Sequence, residues 1–412
     1  MEQTSFFQKN KHYIGNFFIL GLNTISEEFI VGIVRKNEIV QLGSFSKGLS
    51  RNEKEILKKT ILDNQNQVKG KTILIEPGIC VELVFQSIKN DQLVNPTFQT
   101  FQFERKWNEC TWDSLIIHNS PITDEIKFTN PDKILWKKTN LSKESFISYL
   151  AQISSFMLPF LENRLLTTIR FPNGVDGESF FQKNCPDYAP SFIKTIKIED
   201  IKYIICNDLS TLLWLGNQSA IEFHVPFEKI NCNDPLEIVF DLDPPNKDAF
   251  PLAIKAAIEL RQIFESFKIK SYPKVSGSKG LQIHIPLNNI SLSYDDTRIF
   301  TSFIANYLIE KYPDDFTIER FKKNRGNRLY IDYVQHAKGK TIVCPYSARG
   351  KELPTVAAPL YWDEVNHNLK IETYDIPYMV KRVEERLFPM VDYFEHSNLT
   401  LLDIISTLKE NR

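Results

Sequence analysis

The sequence predicts an α/β (α+β) domain of about 290 residues preceded by a small closed β-barrel of about 115. Three observations carry this. Short alternating apolar and polar runs fill the first 115 residues around one helical stretch. Beyond residue 125, long runs at helical period alternate with short apolar runs. Between them lies the polar, proline-containing "HNSPITDE" at 118–125, which places the boundary so that the domains are 1–118 and 119–412.

In the first domain, "YIGNFFILGL", "EEFIVGIVRK" and "EIVQLGSF" read as strands, with turns at Asn23, Ser26 and Asn37. The segment 50–64 opens on a Ser cap and reads as a helix. "KTILIEP" and "CVELVFQSIKN" supply two more strands before the aromatic-rich "FQTFQFERKWNECTW". In the second domain, "SKESFISYLAQISSFMLPFLENR" begins at Ser142 and carries an apolar face at helical spacing. "DAFPLAIKAAIELRQIFESFKI" is a second amphipathic helix, and strands are expected at 236–241, 281–286, 328–334 and 341–346.

A net charge of −1 over 412 residues excludes a chain that attracts nucleic acid by bulk charge, but leaves room for a local basic groove. The six cysteines form no C-x-x-C pair and have no histidine at zinc spacing, so they read as reduced core thiols. No run of 18 apolar residues and no apolar leader core occurs, which points to a cytoplasmic protein with no membrane partner. No helix-turn-helix pattern is present, which disfavours a sequence-specific regulator.

In "IVFDLDPP", Asp241 and Asp243 are two residues apart and project from one face of a strand that Pro244 and Pro245 terminate. Two like charges so placed repel unless a cation lies between them, and hard oxygen ligands suit Mg²⁺ or Mn²⁺. Taken alone, such a pair is more often a solvated strand end. Asp332, in the apolar strand pattern "NRLYIDYVQ", is a third carboxylate that needs a partner. Three aspartates holding two metals have the makings of a site that binds a nucleoside triphosphate and activates a hydroxyl for in-line attack.

Between these carboxylates, Ser276-Gly-Ser-Lys-Gly280 is a permissive turn whose N–H groups, serine hydroxyl and Lys279 suit phosphate, although an ordinary hairpin would read the same way. Arg320, Lys322, Lys323, Arg325 and Arg328 form a basic run before Asp332 that suits sequence-independent phosphate contacts. "FFQK", Phe180–Lys183, reads equally as a base-stacking platform or as two core phenylalanines.

Together "FTNPDKILW", "RFPNGVDGESFFQK", "LLWLGNQSAIEFH", "VFDLDP", "KVSGSKGLQIHIPL", "RLYIDYVQ", "KTIVCPYSARG" and "PLYWDEV" resemble, in order over roughly 126–365, the polymerase domain of bacterial DNA ligase D. That domain belongs to the archaeo-eukaryotic primase superfamily and acts in non-homologous end joining. The resemblance implies a primase-polymerase fold and a template-dependent nucleotidyltransferase that uses NTP or dNTP with Mn²⁺ or Mg²⁺ at DNA ends. It implies that Asp241, Asp243 and Asp332 are catalytic metal ligands, and that His224, Ser276, Lys279, Gln282 and Arg349 meet the nucleotide. It places Lys133 and Lys143 at a DNA 5′-phosphate, Phe180 and Phe181 against the template, and Lys183 and Asn217 on the same DNA surface. The partners implied are gapped or primer–template DNA, a Ku-type end-binding protein and a separate ligase, in the bacterial cytoplasm at the nucleoid.

Many members of the family read S-G-x-K-G-L-H, whereas this chain has Gln282 at the last position and a histidine only at His284. Gln282 can donate to a phosphate but carries no charge. Residues 1–118 are similar to the OB-fold domain of ATP-dependent DNA ligases, yet the chain has no K-x-D-G lysine nucleophile, and Gln102 and Glu104 replace the closing arginine and aspartate. That implies a docking module without ligase activity. The alternative is a non-catalytic DNA-end scaffold derived from a ligase D.

Overall fold

The computed structural model describes residues 12–35, 38–385 and 387–411, and the turn expected at Asn37 lies outside them. The chain divides into two compact units, Met1–Ile122 and Thr123–Arg412.

The first unit is organised by an 11-residue strand, Tyr13–Asn23. It pairs with Glu28–Arg35 on one side and with both Cys80–Phe85 and Thr72–Leu74 on the other. Its register slips between Ile19 and Gly21, the kind of bulge that bends a long strand and lets its halves take different partners. In this seven-stranded sheet Glu38–Phe45 pairs with the outer side of Glu28–Arg35, and Thr97–Phe101 with the outer side of Cys80–Phe85. A single parallel bridge, Lys47 to Thr97, joins those edges among the described residues. The sheet therefore curls into a partly closed, OB-like barrel, not the closed one expected. Just past the bridge, Gly48 (φ +97°) lies against the Thr97–Phe101 strand, where a Cβ would be 2.3 Å from Phe98 O, and the chain then leaves the seam for a helix, so pairing stops there. The helix Arg51–Asp63 follows at once, started by a reciprocal Ser50–Glu53 capping box. Phe17, Phe18, Phe29, Phe45 and Phe85 fill the interior.

The second unit contains two sheets that together carry the site. One runs in the order Tyr272–Val275, Leu281–Pro286, Glu237–Asp243, Leu329–Asp332, Phe316–Thr317. The other runs Phe180–Gln182, Thr167–Arg170, Ala220–Pro226, Thr341–Val343. In the central strand Glu237–Asp243, alternation sends Ile238, Phe240 and Leu242 to one face and Glu237, Asp241 and Asp243 to the other. The apolar face is covered by the helices Phe250–Ser266 and Tyr294–Lys311, where Phe240, Phe264 and Phe300 pack edge and tilt against one another. The helix Lys143–Leu161 begins where expected, with Ser142 accepting from the Ser145 N–H.

Two expectations need correction. Asp332 ends its strand, because Tyr333 N–H turns back to Ile331 O, so it is not in mid-strand. Cys232 is exposed, unlike the other five cysteines, which are buried; all six are free.

Candidate active site

Strand register brings the carboxylates together. Asp241 pairs with Asp332 on one side and with Gln282 on the other, while Lys274 pairs with Gln282. Residues opposite each other share a sheet face, so Lys274, Gln282, Asp241 and Asp332 form a polar row across four strands. Asp243 follows two residues after Asp241 on the same face. Asp241 Oδ1 accepts from Gln282 Nε2 at 3.1 Å, and Asp332 Oδ1 accepts from the Tyr330 hydroxyl at 3.1 Å and from Gln335 N–H at 2.9 Å. Asp243 is engaged by Lys279 at 2.8 Å and by Arg325 at 3.4 Å.

The cations are unevenly shared: Lys279 and Arg325 both go to Asp243, whereas the hydrogen bonds that Asp241 and Asp332 accept come from neutral donors. Burial pushes the Asp241 carboxyl up to about 7; the Gln282 hydrogen bond opposes this, and the charges of Asp332 and Asp243 add to it. Burial also raises Asp332, against its two hydrogen bonds. Lys274, fully buried with its Nζ on Val343 O at 2.8 Å, is pulled down to about 7 by burial. A divalent cation would relieve the carboxylate repulsion, and the donor set, all hard oxygen, fits Mg²⁺ or Mn²⁺. Among the described residues, no group of three His, Cys, Asp or Glu side chains is arranged to hold a metal as it stands, since Asp243 is turned to Lys279 and Arg325.

The Ser-Gly-Ser-Lys-Gly turn closes against this row. Ser276 Oγ accepts from the N–H groups of Ser278 and Gly280. Gly280 is required by close approach, because a Cβ there would lie 2.3 Å from Leu242 O on the carboxylate strand. Arg349 donates to Ser276 O at 2.9 Å, which ties it to the turn, while Lys279 Nζ reaches Asp243 and donates to Pro244 O at 3.0 Å. His224, on the neighbouring sheet opposite Val343, is bound to Glu222 at 2.9 Å.

Lys133 and Lys143 also converge. Lys143 N–H donates to Lys133 O, and the Lys143 side chain, 3% exposed, reaches Thr129 Oγ1 and Asn217 O. Burial lowers its ammonium and the Lys133 charge adds to this, the electrostatics of a site prepared for an anion. Asn217 Oδ1 accepts from Thr129 N–H and its Nδ2 donates to Lys127 O, so it braces the loop and does not project from the surface. Phe180 and Phe181 are 46% and 73% exposed, which removes the core reading. Arg170 lies over the Phe180 ring at 5.4 Å, and Lys183 is exposed beside them.

Two local readings change. Gln282 is 3% exposed and spends its donor on Asp241, so in this conformation it supports a carboxylate and is not poised to donate to phosphate. His284 lies in a separate buried cluster on Glu237 and is no substitute for it. Arg325, expected within the surface basic run, is buried against Asp243 and Tyr330, whereas Arg320, Lys322 and Lys323 remain exposed. Sequence reading missed Glu222 and Lys274. The signal for Glu222 was present: a carboxylate in the apolar run "IEFH", two residues and therefore one face from His224.

Fold and site together define a mixed α/β domain of the primase-polymerase class. The family model "LigD, primase-polymerase domain" matches residues 142–390, and the chain belongs to that family. It is 43% identical over 378 residues to the bifunctional non-homologous end joining protein LigD of Bacillus subtilis, covering 92% of this chain and 62% of that protein. It is 34% identical over 249 residues to the multifunctional LigD of Mycolicibacterium smegmatis, covering 59% of this chain and 32% of that one. Among solved structures, the polymerase domain of Mycobacterium tuberculosis ligase D in complex with DNA superposes with a TM-score of 0.61 at 28% identity, over 66% of this chain and 98% of that one. The chain thus spans less than two thirds of the length of these curated relatives.

Proposed function

We propose that this chain is a template-dependent nucleotidyltransferase that extends or fills gaps at broken DNA ends with NTP or dNTP during non-homologous end joining, and that it does not seal nicks. The observation that carries the reading is the register Asp241–Asp332 with Asp243 on the same face, next to the Ser276–Gly280 turn and Arg349. Asp241, Asp243 and Asp332 would hold divalent metals, Mn²⁺ or Mg²⁺, which lower the pKa of the primer 3′-hydroxyl and neutralise the triphosphate. Ser276, Lys279, Arg349 and His224 bind and orient the triphosphate. Lys279, now on Asp243, is free to move to phosphate once metal neutralises that carboxylate.

Lys133 and Lys143 recognise the 5′-phosphate across the gap, with Asn217 holding their loop, and Phe180, Phe181 and Lys183 support the template strand. The OB-like unit, residues 1–118 of the chain, serves as a docking module, and the polymerase-type domain occupies 119–412. These 412 residues carry no K-x-D-G motif, so in this reading the sealing step belongs to ligase chemistry outside them, and a Ku-type protein recruits the ends, in the bacterial cytoplasm at the nucleoid.

The test is extension of gapped, 5′-phosphorylated primer–template DNA with NTP and Mn²⁺. Wild type extends, and Asp241→Ala combined with Asp243→Ala loses extension by a factor of about 10³ or more while remaining folded. Sustained end binding with no extension under either metal would instead favour the non-catalytic scaffold.

A further inference from the structure

His224 and Arg349 come from separate segments, a strand of the four-stranded sheet and the stretch that follows Val343. Both end on one carboxylate. Glu222 is 4% exposed; its Oε2 lies 2.9 Å from His224 Nε2 and 3.2 Å from Arg349 Nε. Its Oε1 accepts from the Gly350 N–H at 2.9 Å. The backbone at Gly350 comes in closely to make this bond, since a Cβ there would lie 1.9 Å from the Phe171 ring.

We propose that Glu222 is a positioning residue for the incoming nucleotide, presenting His224 and Arg349 to the triphosphate as one unit and setting the imidazole tautomer. The inference rests on the reading that His224 and Arg349 contact the triphosphate.

The chemistry of the groups supports it. An ionised carboxylate only accepts, so His224 Nε2 carries the hydrogen in the bond to Glu222, and Nδ1 is the nitrogen left for a second partner. Glu222 is ionised: burial pushes its carboxyl up, but His224 and Arg349 outweigh that and hold it at about 2. The groups that face the imidazole are Glu222 on its own strand, Arg349 from the segment after Val343, and Lys274 from the strand Tyr272–Val275. The two cations and burial disfavour a charged ring, and Glu222 alone among these groups favours it. When a phosphate reaches Nδ1, Glu222 lets the ring take up a proton and donate to it. On Arg349 the hydrogen bond to Ser276 O anchors the guanidinium and the ion pair with Glu222, which lacks hydrogen-bond geometry at Nε, orients it by charge, leaving other N–H groups of its fork for phosphate oxygens.

The test measures affinity for a fluorescent ATP analogue with Mn²⁺, and KM and kcat in primer extension, for wild type, Glu222→Gln, His224→Ala and the double variant, between pH 6 and 9 (a window of about three units around the imidazole range). Glu222→Gln is expected to weaken nucleotide affinity about tenfold or more, with the loss falling mainly on KM. Wild-type affinity falls as pH rises through the titration of the nucleotide-bound imidazole, and in Glu222→Gln that fall moves to lower pH. In the His224→Ala background, Glu222→Gln costs less than it does alone. Glu222→Asp keeps the charge and covers a glutamine variant that does not fold: it retains the wild-type pH profile with a raised KM. A glutamine variant that melts earlier but binds nucleotide within about twofold of wild type overturns the inference, as does full additivity with His224→Ala. If His224→Ala binds nucleotide as wild type does, the nucleotide-site reading fails and the inference falls with it. If His224→Ala loses affinity and Glu222→Gln does not, only the inference falls.

Discussion

Glu237 and Asp241 lie four residues apart on one strand and share a face, yet the fold treats them in opposite ways. Glu237 is surrounded by partners: Arg164 at 2.9 Å, His284 at 2.7 Å and the Tyr393 hydroxyl at 2.6 Å. Burial pushes its carboxyl up, but Arg164 and the hydrogen bonds from His284 and Tyr393 outweigh this and hold it well below the usual range. Burial pushes Asp241 up to about 7: it receives one neutral amide and faces two further carboxylates, and the charge of the buried Lys274 opposes this without cancelling it. Glu237 is buried and Asp241 part-buried, and a carboxylate withdrawn from water costs stability unless compensated. The first is compensated within the protein and belongs to the fold. The second is left short of positive charge, which is what a site for an external cation requires.

This contrast can be broken by mutation. The largest effect is expected at Glu237, where replacement by Ala strands the buried Arg164 and should cost about 3–5 kcal/mol in guanidinium denaturation. Asp241→Asn should do the reverse in metal-free protein. The folded-state value of Asp241 lies above its unfolded value, so the folded protein holds the extra proton and loses stability as pH rises from 3.8 to about 7. The asparagine variant therefore melts above wild type at pH 8, and the difference vanishes below the unfolded value. A variant that melts lower at pH 8 would show that Asp241 is as well satisfied as Glu237.

A smaller effect is expected at Lys143, whose ammonium lies beside Lys133 and the Asn217 loop. Lys143→Ala should reduce the preference for 5′-phosphorylated over 5′-hydroxyl gapped DNA by about tenfold in a binding titration, with little change on the unphosphorylated substrate.

The aspartates were legible in the sequence because they interrupt apolar runs at a spacing that chemistry recognises, and the Ser276–Gly280 turn because glycines mark where backbone must come close. The helices at 143–161 and 250–266 were legible from their period. What sequence could not supply was partnership across the chain. Nothing near Gln282 predicts that its amide goes to Asp241, 41 residues away, nor near Arg325 that it leaves a basic run to lie against Asp243, 82 residues away. Glu237 and Asp241 read alike in the one-dimensional pattern; only the residues folded against them separate a carboxylate compensated within the fold from one proposed to hold metal. The barrel seam was misjudged for a related reason: closure depends on pairing between distant strands, and nothing local shows that a single bridge, Lys47 to Thr97, is all that crosses it among the described residues.

The central claim is that Asp241, Asp243 and Asp332 form a divalent-metal site. It is tested most directly by Mn²⁺ titration of the metal-free chain, followed by electron paramagnetic resonance in the absence of DNA and nucleotide. Wild type is predicted to bind Mn²⁺ and to release protons as it does so. Asp241→Ala combined with Asp243→Ala is predicted to lose that binding, while Glu237→Gln retains it. Undiminished Mn²⁺ binding by the aspartate double variant would contradict the account.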